Sequence, residues 1–329
     1  MNVLICDDSA FARKQMARAL PTDWPIKLHQ AGNGQEGLEQ ILSGHGDLVF
    51  LDLTMPIMDG YAVLAALKEQ EIRSRVIVVS GDIQPAAYQE VMSLGALAFI
   101  QKPCSADKLQ SLLLELGVYQ SGGGIPDQAS PFGLTIELRD VYQELANVAM
   151  GQAADLLARL LGQFVILPIP NVNVLEVSEL HMALSAAAGE DTLSAVCQGF
   201  IGAGIAGEAL VLFHDSSFAD LAKLMRHQGP IDKAVELELL MDMANVLIGA
   251  FLRGFGTQLD TPFHQGQPVV LGQHSAIDDL IRTNRTRWRR TLAIEINYRI
   301  RDHQVQCDLL LLFTEESIRF MNHKIEHLL

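Results

Sequence analysis

The chain has 329 residues, of which 49% are apolar and 19% charged, and its formal net charge is −15 at pH 7. That length exceeds one ordinary core, so two or three domains are expected, and the apolar share excludes a disordered chain. The negative charge disfavours a nucleic-acid partner, because phosphate binding needs clustered Lys and Arg. The one basic run, between Arg282 and Arg290, is interpreted as a solvated turn or a docking patch.

The sequence carries no signal for export or for membrane insertion. Met1 to Cys6 are apolar, but Asp7 and Asp8 follow at once, which is unlike a signal peptide. No apolar run approaches the roughly 18 residues of a membrane span. The four cysteines lie far apart without a CxxC pair, which is typical of a reducing compartment. A cytoplasmic protein with no membrane partner is therefore expected.

The first 118 residues alternate short apolar strands with amphipathic helices. The predicted strands are Val3–Cys6, Leu48–Leu51, Val76–Val79 and Ala98–Ile100. The helical patterns are Gly60–Gln70, Pro85–Leu94 and Ser105–Leu116. Continuous apolar strands alternating with helices predict an α/β domain with a parallel sheet covered on both faces. The Gly-rich stretch 120–127 marks its end, so we predict a domain over 1–118, a linker over 119–132 and a second domain over 133–329.

The second domain contains an internal repeat. Long helical patterns over Leu138–Gly162 and Leu237–Gly256 each carry an acidic residue, a second one four positions later and an Asn three positions after that. A Pro follows each Asn after 22 intervening residues. The two sets are Asp140, Glu144, Asn147 and Pro170, and Glu238, Asp242, Asn245 and Pro268. Because residues at i, i+4 and i+7 share one helical face, each set forms a polar stripe.

Strand-like pairs and a closing helix follow each of these long helical patterns. The predicted strand pairs are Leu193–Ile201 with Glu208–Phe213, and Arg290–Ile300 with Val305–Phe313. The closing helices lie near Ser217–Arg226 and Glu316–Leu328. Two copies of one unit, about 133–230 and 231–329, are therefore expected to pack as one pseudo-symmetric α+β domain.

Five chemically active side chains fall at the strand ends of the first domain. Asp7 and Asp8 follow the first strand, Asp52 ends the third, Ser80 ends the fourth and Lys102 follows the fifth. Ligands bind at this edge of a parallel sheet, where the loops converge. Three carboxylates in one pocket repel one another unless a hard cation lies among them, so Mg²⁺ is expected. Taken singly, each acidic residue is equally typical of a helix N-cap.

This set resembles the response-regulator receiver family over about 118 residues. The motifs that carry the resemblance are Cys6-Asp7-Asp8-Ser9, Asp52-Leu53-Thr54-Met55-Pro56-Ile57-Met58-Asp59-Gly60, Ser80-Gly81 and Lys102-Pro103. The resemblance implies a doubly wound, flavodoxin-like sheet of five strands. It also implies a histidine kinase of the CheA type as phosphodonor.

The resemblance also assigns roles to the pocket residues. Asp52 is the phosphoacceptor, and the metal ligands for Mg²⁺ are Asp7, Asp8 and Asp52 with the Thr54 carbonyl. Lys102 and the Ser80 hydroxyl contact the phosphoryl oxygens, and the Lys102–Pro103 bond is cis. Ser80 and Phe99 are the switch residues, although a lone aromatic at a strand end is equally typical of a core.

Each polar stripe alone is typical of a solvated helix face, but its repetition resembles the CheC/CheX/FliY family, phosphatases of the chemotaxis receiver CheY. The resemblance covers roughly 133–329, and the second copy departs from the motif by carrying Asp242 where the first has Glu144. It implies that Glu144 with Asn147, and Asp242 with Asn245, are phosphatase catalytic pairs. In each pair the carboxylate binds the Lys of a partner receiver and the Asn holds the attacking water. The substrate's own Mg²⁺ is then the one cofactor required.

The resulting hypothesis is a response regulator that dephosphorylates a separate phospho-CheY-type receiver, under the control of Asp52. Dephosphorylation of its own Asp52 is expected to be sterically hard, because the linker starts at the opposite edge of the sheet. A non-catalytic phospho-CheY or flagellar-switch binding protein is one alternative, and a phosphate sink for a histidine kinase is another. The sequence leaves open a homodimer, the identity of the CheY or kinase partner and the sign of regulation.

Overall fold

The structure is a computed structural model that describes residues 1–120, 137–175, 192–275 and 291–327. The chain divides into two compact units, Met1–Glu144 and Leu145–Leu329. This boundary differs from the predicted one, because it falls inside the long helix α6 (Leu138–Leu161). The first unit therefore includes the first two turns of α6. Residues 121–132 of the predicted linker and the basic run at 282–290 lie outside the described residues.

The first unit contains a five-stranded parallel sheet. Its strands are β1 (Asn2–Cys6), β2 (Lys27–Ala31), β3 (Leu48–Leu51), β4 (Arg75–Ser80) and β5 (Ala98–Gln101). They lie in the order β2-β1-β3-β4-β5, with parallel pairing throughout. The four strands named from the sequence are confirmed. The second strand, β2, was not named there, because its sequence Lys-Leu-His-Gln-Ala lacks a continuous apolar run and it lies at the sheet edge.

Within residues 1–120, five helices cover the two faces of this sheet. They are α1 (Ala10–Ala19), α2 (Gly34–Leu42), α3 (Gly60–Glu69), α4 (Pro85–Ser93) and α5 (Ala106–Glu115). Leu4 packs in a core with residues of α2, α3 and α4, whereas its neighbour Val3 packs in a second core with α1 and α5. Successive strand residues thus enter opposite cores, which confirms the doubly wound α/β architecture.

The start of three of these helices is fixed by a side-chain cap. Ser9, Asn33 and Asp59 each accept a hydrogen bond from the backbone N–H three residues later. These caps satisfy donors that a helix leaves unpaired at its first turn. Because α1 and α3 follow β1 and β3 directly, the caps hold the loops that carry Asp7 and Asp52 in place.

In the second unit, the described residues form an eight-stranded antiparallel sheet. Its strands are β6 (Val165–Ile166), β7 (Asn171–Leu175), β8 (Leu193–Gly202), β9 (Ile205–His214), β10 (His264–Gln265), β11 (Val269–Ser275), β12 (Thr291–Ile300) and β13 (Gln306–Phe313). The four long strands lie in the order β8-β9-β13-β12. Both strand pairs named from the sequence are confirmed. The fold of this unit is α+β.

The helices that the structure describes in this unit are α6, α7 (Phe218–Leu224), α8 (Lys233–Gln258) and α9 (Glu315–Glu326). The strand order β10-β8-β9-β13-β12-β6 is symmetric with respect to the two repeats: from either end, a short strand of one repeat is followed by the two long strands of the other. The short strands β6 and β7 of the first repeat both pair with β12, and β10 and β11 of the second repeat both pair with β8. The repeats therefore exchange their short strands, a feature that the sequence analysis did not predict. Among the described residues, no helix is long and apolar enough to cross a membrane.

The repeated prolines have a structural role in this exchange. Pro170 directly precedes β7 and Pro268 directly precedes β11. Proline has no N–H to donate to a ladder, so it is tolerated at the beginning of a strand. The constant spacing from Asn to Pro therefore reflects the distance from each long helix to its exchanged strand.

The two long helices contact each other closely in the second unit. A Cβ added at Gly254 of α8 would lie 3.1 Å from Ala149 Cα and 2.7 Å from Gln152 Oε1 of α6. Gln258 Nε2 also donates a hydrogen bond of 2.9 Å to the carbonyl oxygen of Leu145. This contact holds the helices that carry the two polar stripes against each other.

Candidate functional site

The five strand-end residues of the first unit converge on one buried pocket. The register pairs Cys6 of β1 with Leu51 of β3, so the loops that begin with Asp7 and Asp52 leave the sheet side by side. Lys102 Nζ lies 2.7 Å from Asp7 Oδ2 and 3.0 Å from Asp52 Oδ1. Asp52 and Lys102 are both buried. The Lys102–Pro103 bond is cis, as the motif predicts.

Backbone groups hold Asp52 and its neighbours in position. Asp52 Oδ2 accepts a hydrogen bond of 2.9 Å from the backbone N–H of Thr54. The buried Ser80 hydroxyl accepts one of 3.1 Å from the backbone N–H of Asp82. The other carboxylate oxygen of Asp52, Oδ1, faces Lys102 and forms an ion pair with it.

Sequence reasoning missed Arg13, which braces this pocket from α1. Its guanidinium donates to the backbone carbonyl oxygens of Asp7 and Asp8, at 2.6 and 3.1 Å. A third hydrogen bond, of 3.0 Å, joins its Nε to Gln30 Oε1 on β2. A basic residue one turn into the helix that follows an acidic pair is the sequence signal that points to such a brace.

The pocket holds more negative than positive charge. Burial, followed by the charges of Asp7 and Asp52, raises the pKa of Asp8 to about 7. Burial also raises the pKa of Asp52, although Lys102 opposes the change. Burial by itself lowers the pKa of Lys102, but the surrounding carboxylates outweigh it and hold that pKa well above its usual value. The ammonium therefore stays protonated at the centre of the pocket.

This donor set fits a hard divalent cation in its chemistry. Carboxylate and carbonyl oxygens are the ligands that Mg²⁺ takes in proteins, and clustered carboxylates gain from added positive charge. Among the described residues, no group of three or more His, Cys, Asp and Glu side chains has the geometry of a preformed metal site. Assignment of Asp7, Asp8, Asp52 and the Thr54 carbonyl as Mg²⁺ ligands therefore stays a prediction.

Phe99, the predicted switch aromatic, is half-buried at the end of the sheet. Its ring lies edge-to-face with Tyr88 of α4, with 5.9 Å between ring centroids. Tyr88 is itself 50% exposed. An aromatic pair at the surface has room to change rotamer, whereas a fully packed core residue has not.

Two acidic residues of α6 contact this pocket within the first unit. Asp140 accepts hydrogen bonds from the backbone N–H groups of Ala10 and Phe11, at 3.2 and 2.6 Å. Glu144 Oε1 lies 3.1 Å from Lys102 Nζ, and Glu144 is buried. Burial raises the pKa of Glu144, and Lys102 opposes that change. Dephosphorylation of Asp52 in cis was expected to be sterically hard, because the linker was taken to be too short to return from the opposite edge of the sheet. Asp140 and Glu144 nevertheless reach this edge within the first unit.

The two stripes differ in their exposure. Glu144 and Asn147 are each only 7% exposed. Glu238, Asp242 and Asn245 of α8 are all exposed. Seven residues after Asp242, on the same helical face, Gly249 lines a cavity of about 510 Å³ together with Arg253 and Gln265. The second stripe is therefore accessible to another molecule and adjoins a concave surface.

Residues 3–114 match the family model for the response regulator receiver domain. Chemotaxis protein CheY of Bacillus subtilis is 34% identical over 107 residues, which make up 32% of this chain and 89% of that protein. Protein-glutamate methylesterase/protein-glutamine glutaminase 1 of Syntrophomonas wolfei is 37% identical over 113 residues, 33% of this chain and 32% of that protein. The crystal structure of Thermotoga maritima FliY covers 60% of this chain and 100% of its own, with 16% identity and a TM-score of 0.44. This chain spans about a third of the length of the methylesterases that it matches.

Proposed function

This chain belongs to the response regulator receiver family through residues 3–114, and we propose that its second domain is a CheC-like phosphatase. Its substrate is the aspartyl phosphate of CheY-type receivers, and phosphorylation of Asp52 regulates it. One observation carries the proposal: a carboxylate and an amide recur on α6 and α8, and Glu144 of the first pair lies 3.1 Å from Lys102 Nζ of a phosphoacceptor pocket.

In the receiver, Asp52 accepts the phosphoryl group from a histidine kinase. The buried carboxylate presents one oxygen toward Lys102 while the Thr54 N–H holds the other. After transfer, Lys102 and the Ser80 hydroxyl bind phosphoryl oxygens. When bound by Asp7, Asp8, Asp52 and the Thr54 carbonyl, Mg²⁺ supplies further positive charge to those oxygens.

In the phosphatase domain, each carboxylate–amide pair completes the pocket of a substrate receiver. Glu144 or Asp242 binds the receiver lysine, as Glu144 binds Lys102 here. Asn147 or Asn245 lies three residues further along the same helical face. A carboxamide has both a donor and an acceptor, so it can orient water for in-line attack on phosphorus without changing its own protonation. The shorter side chain of Asp242 gives the second pair less reach.

The test follows the decay of a separate phosphorylated CheY-type receiver in the presence of the full chain. We expect the wild type to accelerate decay and the double variant Asn147→Ala/Asn245→Ala to lose about tenfold or more of that acceleration, because positioning of the water is lost. The single variants show how much each pair contributes. Gln143→Ala, a half-exposed position next to Glu144 on α6, is the matched control.

The alternatives make different predictions in the same assay. Equal acceleration by the wild type and the double variant would contradict the chemical role of the amides. A wild type that binds the phosphorylated receiver without accelerating its decay would be a non-catalytic binding protein. Decay that does not respond to the wild type, with rapid loading of Asp52 from a kinase, would indicate a phosphate sink. Methylesterase activity is not proposed, because the methylesterases are matched over only about a third of their length.

A further inference from the structure

Two acidic side chains of α6 occupy the edge of the acidic pocket within the unit Met1–Glu144. Asp140 accepts hydrogen bonds from the first two N–H groups of α1, and Glu144 Oε1 lies 3.1 Å from Lys102 Nζ. Glu144 and Lys102 are both buried, and burial of two charges is costly unless they are paired. A helix face that only meets solvent needs no such contact, so the position of Glu144 in the pocket calls for a role.

Three carboxylates surround the Lys102 ammonium. Its Nζ lies 2.7 Å from Asp7, 3.0 Å from Asp52 and 3.1 Å from Glu144. An ammonium group has three N–H donors, so these three partners leave no donor for a phosphoryl oxygen. A phosphoryl group that binds Lys102 therefore has to displace one of the carboxylates.

Glu144 is the carboxylate that can leave without a change in the loops of the pocket. Asp7 is also held by Ser9, whose backbone N–H donates a hydrogen bond of 2.9 Å to Asp7 Oδ1. Asp52 is held in the same way, because its Oδ2 accepts a hydrogen bond from the backbone N–H of Thr54. Both follow strands of the sheet, whereas Glu144 reaches the pocket from a separate helix.

We propose that Asp140 and Glu144 make an autoinhibitory contact, which occupies Lys102 while Asp52 is unphosphorylated and is released when a phosphoryl group binds Lys102 in its place. This inference rests on the proposed role of Asp52 as the phosphoacceptor, and it gives the regulation by Asp52 a direction. The unphosphorylated chain keeps Glu144 engaged at its own pocket, and the phosphorylated chain sets it free.

The same contact slows the loading of Asp52. Glu144 and Asp52 contact one ammonium, so a phosphoryl donor that approaches Asp52 also approaches the Glu144 carboxylate. The donor is itself an anion, and like charges a few ångströms apart repel each other even at the dielectric constant of water. Asp140 supports Glu144 from one turn away, because the positive end of α1 favours a carboxylate and fixes α6 there.

The first experiment measures the loading of Asp52 in the full chain. Acetyl phosphate transfers its phosphoryl group to an Asp52 oxygen and releases acetate, and mass spectrometry of the intact chain follows the rate at saturating Mg²⁺. Glu144→Gln keeps the size of the side chain but loses the charge-assisted contact, so we expect it to load about fivefold faster or more. Asp140→Asn should load faster to a smaller extent. Glu137→Gln removes an exposed charge directly before α6 and should load as the wild type does.

The second experiment measures hydrogen–deuterium exchange of the backbone amides of residues 137–144. Beryllofluoride bonds to an aspartate oxygen in the presence of Mg²⁺ and takes the place of a phosphoryl group. Its addition to the wild type should raise exchange in this segment, because the first two turns of α6 lose their contacts with the pocket. Asp52→Asn has no carboxylate to bind beryllofluoride and should show no such rise.

Two results would overturn this inference. Loading of Glu144→Gln that is no faster than that of the wild type would show that this carboxylate does not hinder the reaction. Exchange over residues 137–144 that is unchanged or lower with beryllofluoride would show that Glu144 stays on Lys102. Neither measurement uses a second receiver, so either failure leaves the proposed phosphatase activity standing. Phosphoryl label retained in Asp52→Asn would instead contradict the acceptor assignment itself.

Discussion

Lys102 is the side chain through which the carboxylates of the pocket are joined. It lies within 3.1 Å of Asp7, Asp52 and Glu144, and all four side chains are buried. An ammonium group has three donors, and three carboxylates saturate it. A phosphoryl group on Asp52 would therefore have to compete with these carboxylates for Lys102, which couples the chemical state of Asp52 to the contact made by α6.

The acceptor assignment predicts the behaviour of two matched variants. Asp52→Asn should abolish phosphoryl incorporation from acetyl phosphate, because the amide cannot form the acyl phosphate. Asp107→Asn, an exposed acidic position at the start of α5, should load as the wild type does. Mass spectrometry of the intact chain measures both. Phosphoryl label retained in Asp52→Asn would mean that another residue is the acceptor.

The ion pairs of His274 are expected to make the stability of the second unit depend on pH. Its ring lies between two carboxylates, with Nδ1 3.0 Å from Asp215 Oδ2 and Nε2 2.9 Å from Glu236 Oε2. Burial by itself lowers the pKa of His274, but hydrogen bonds and charges from Asp215 and Glu236 outweigh it and raise that pKa. The stabilisation that these pairs give to the folded unit is thus fully present below the pKa of His274 in the unfolded chain, roughly 6.5. It is lost as the pH rises through the pKa of His274 in the folded unit.

The melting temperature of the second unit should accordingly be higher at pH 6 than at pH 8. His274→Gln should reduce this difference, and the exposed control His227→Gln should preserve it. The effect is small, below about 1 kcal/mol, because the imidazole is 36% exposed and solvent screens the pairs. A nuclear magnetic resonance titration gives the pKa of His274 directly. A value below 6.5 would contradict the predicted direction.

At the scale of elements, the contact between α6 and α8 depends on a glycine. Gly254→Ala would place its Cβ 3.1 Å from Ala149 Cα, whereas Gly249→Ala on the same helix meets only the flexible amide of Gln265, at 3.8 Å. Both substitutions gain about 1 kcal/mol of helix propensity. Overpacking costs about 1–3 kcal/mol, so Gly254→Ala should be less stable than Gly249→Ala by that amount. Thermal unfolding measures the difference, and equal stability would show that the helices separate without cost.

At the scale of the whole molecule, the exchanged strands make the two repeats interdependent. Among the described strands, β6 and β7 of the first repeat pair with β12 alone, and β8 pairs with β10 and β11 in addition to β9. A chain that ends at residue 230 should therefore retain phosphoryl loading of Asp52, while residues 145–230 lose their sheet partners. Limited proteolysis should cleave that segment rapidly. Protection of the segment would show that the first repeat folds alone.

Much of the fold was predictable from the sequence because its signals are local. Four strands of the parallel sheet are continuous apolar runs, and the long helices have a clear period. β2 was not predicted, because its apolar positions are sparse at a sheet edge. The short strands β6 and β10 were not predicted either, because they have only two residues each. In the candidate site, Asp7, Asp8, Asp52, Ser80 and Lys102 were identified from motifs at strand ends, whereas the brace from Arg13 was not.

The sequence by itself determined the receiver fold, the residues of its acidic pocket and the presence of two related polar stripes, because motif spacing and periodicity are properties of neighbouring residues. Only the tertiary structure decided that the two repeats exchange strands and that one stripe meets its own pocket while the other stays exposed. Both features join residues far apart in the chain; the contact between Ala10 and Asp140 spans 130 positions. No local pattern records such a pairing, since it depends on how complete elements pack.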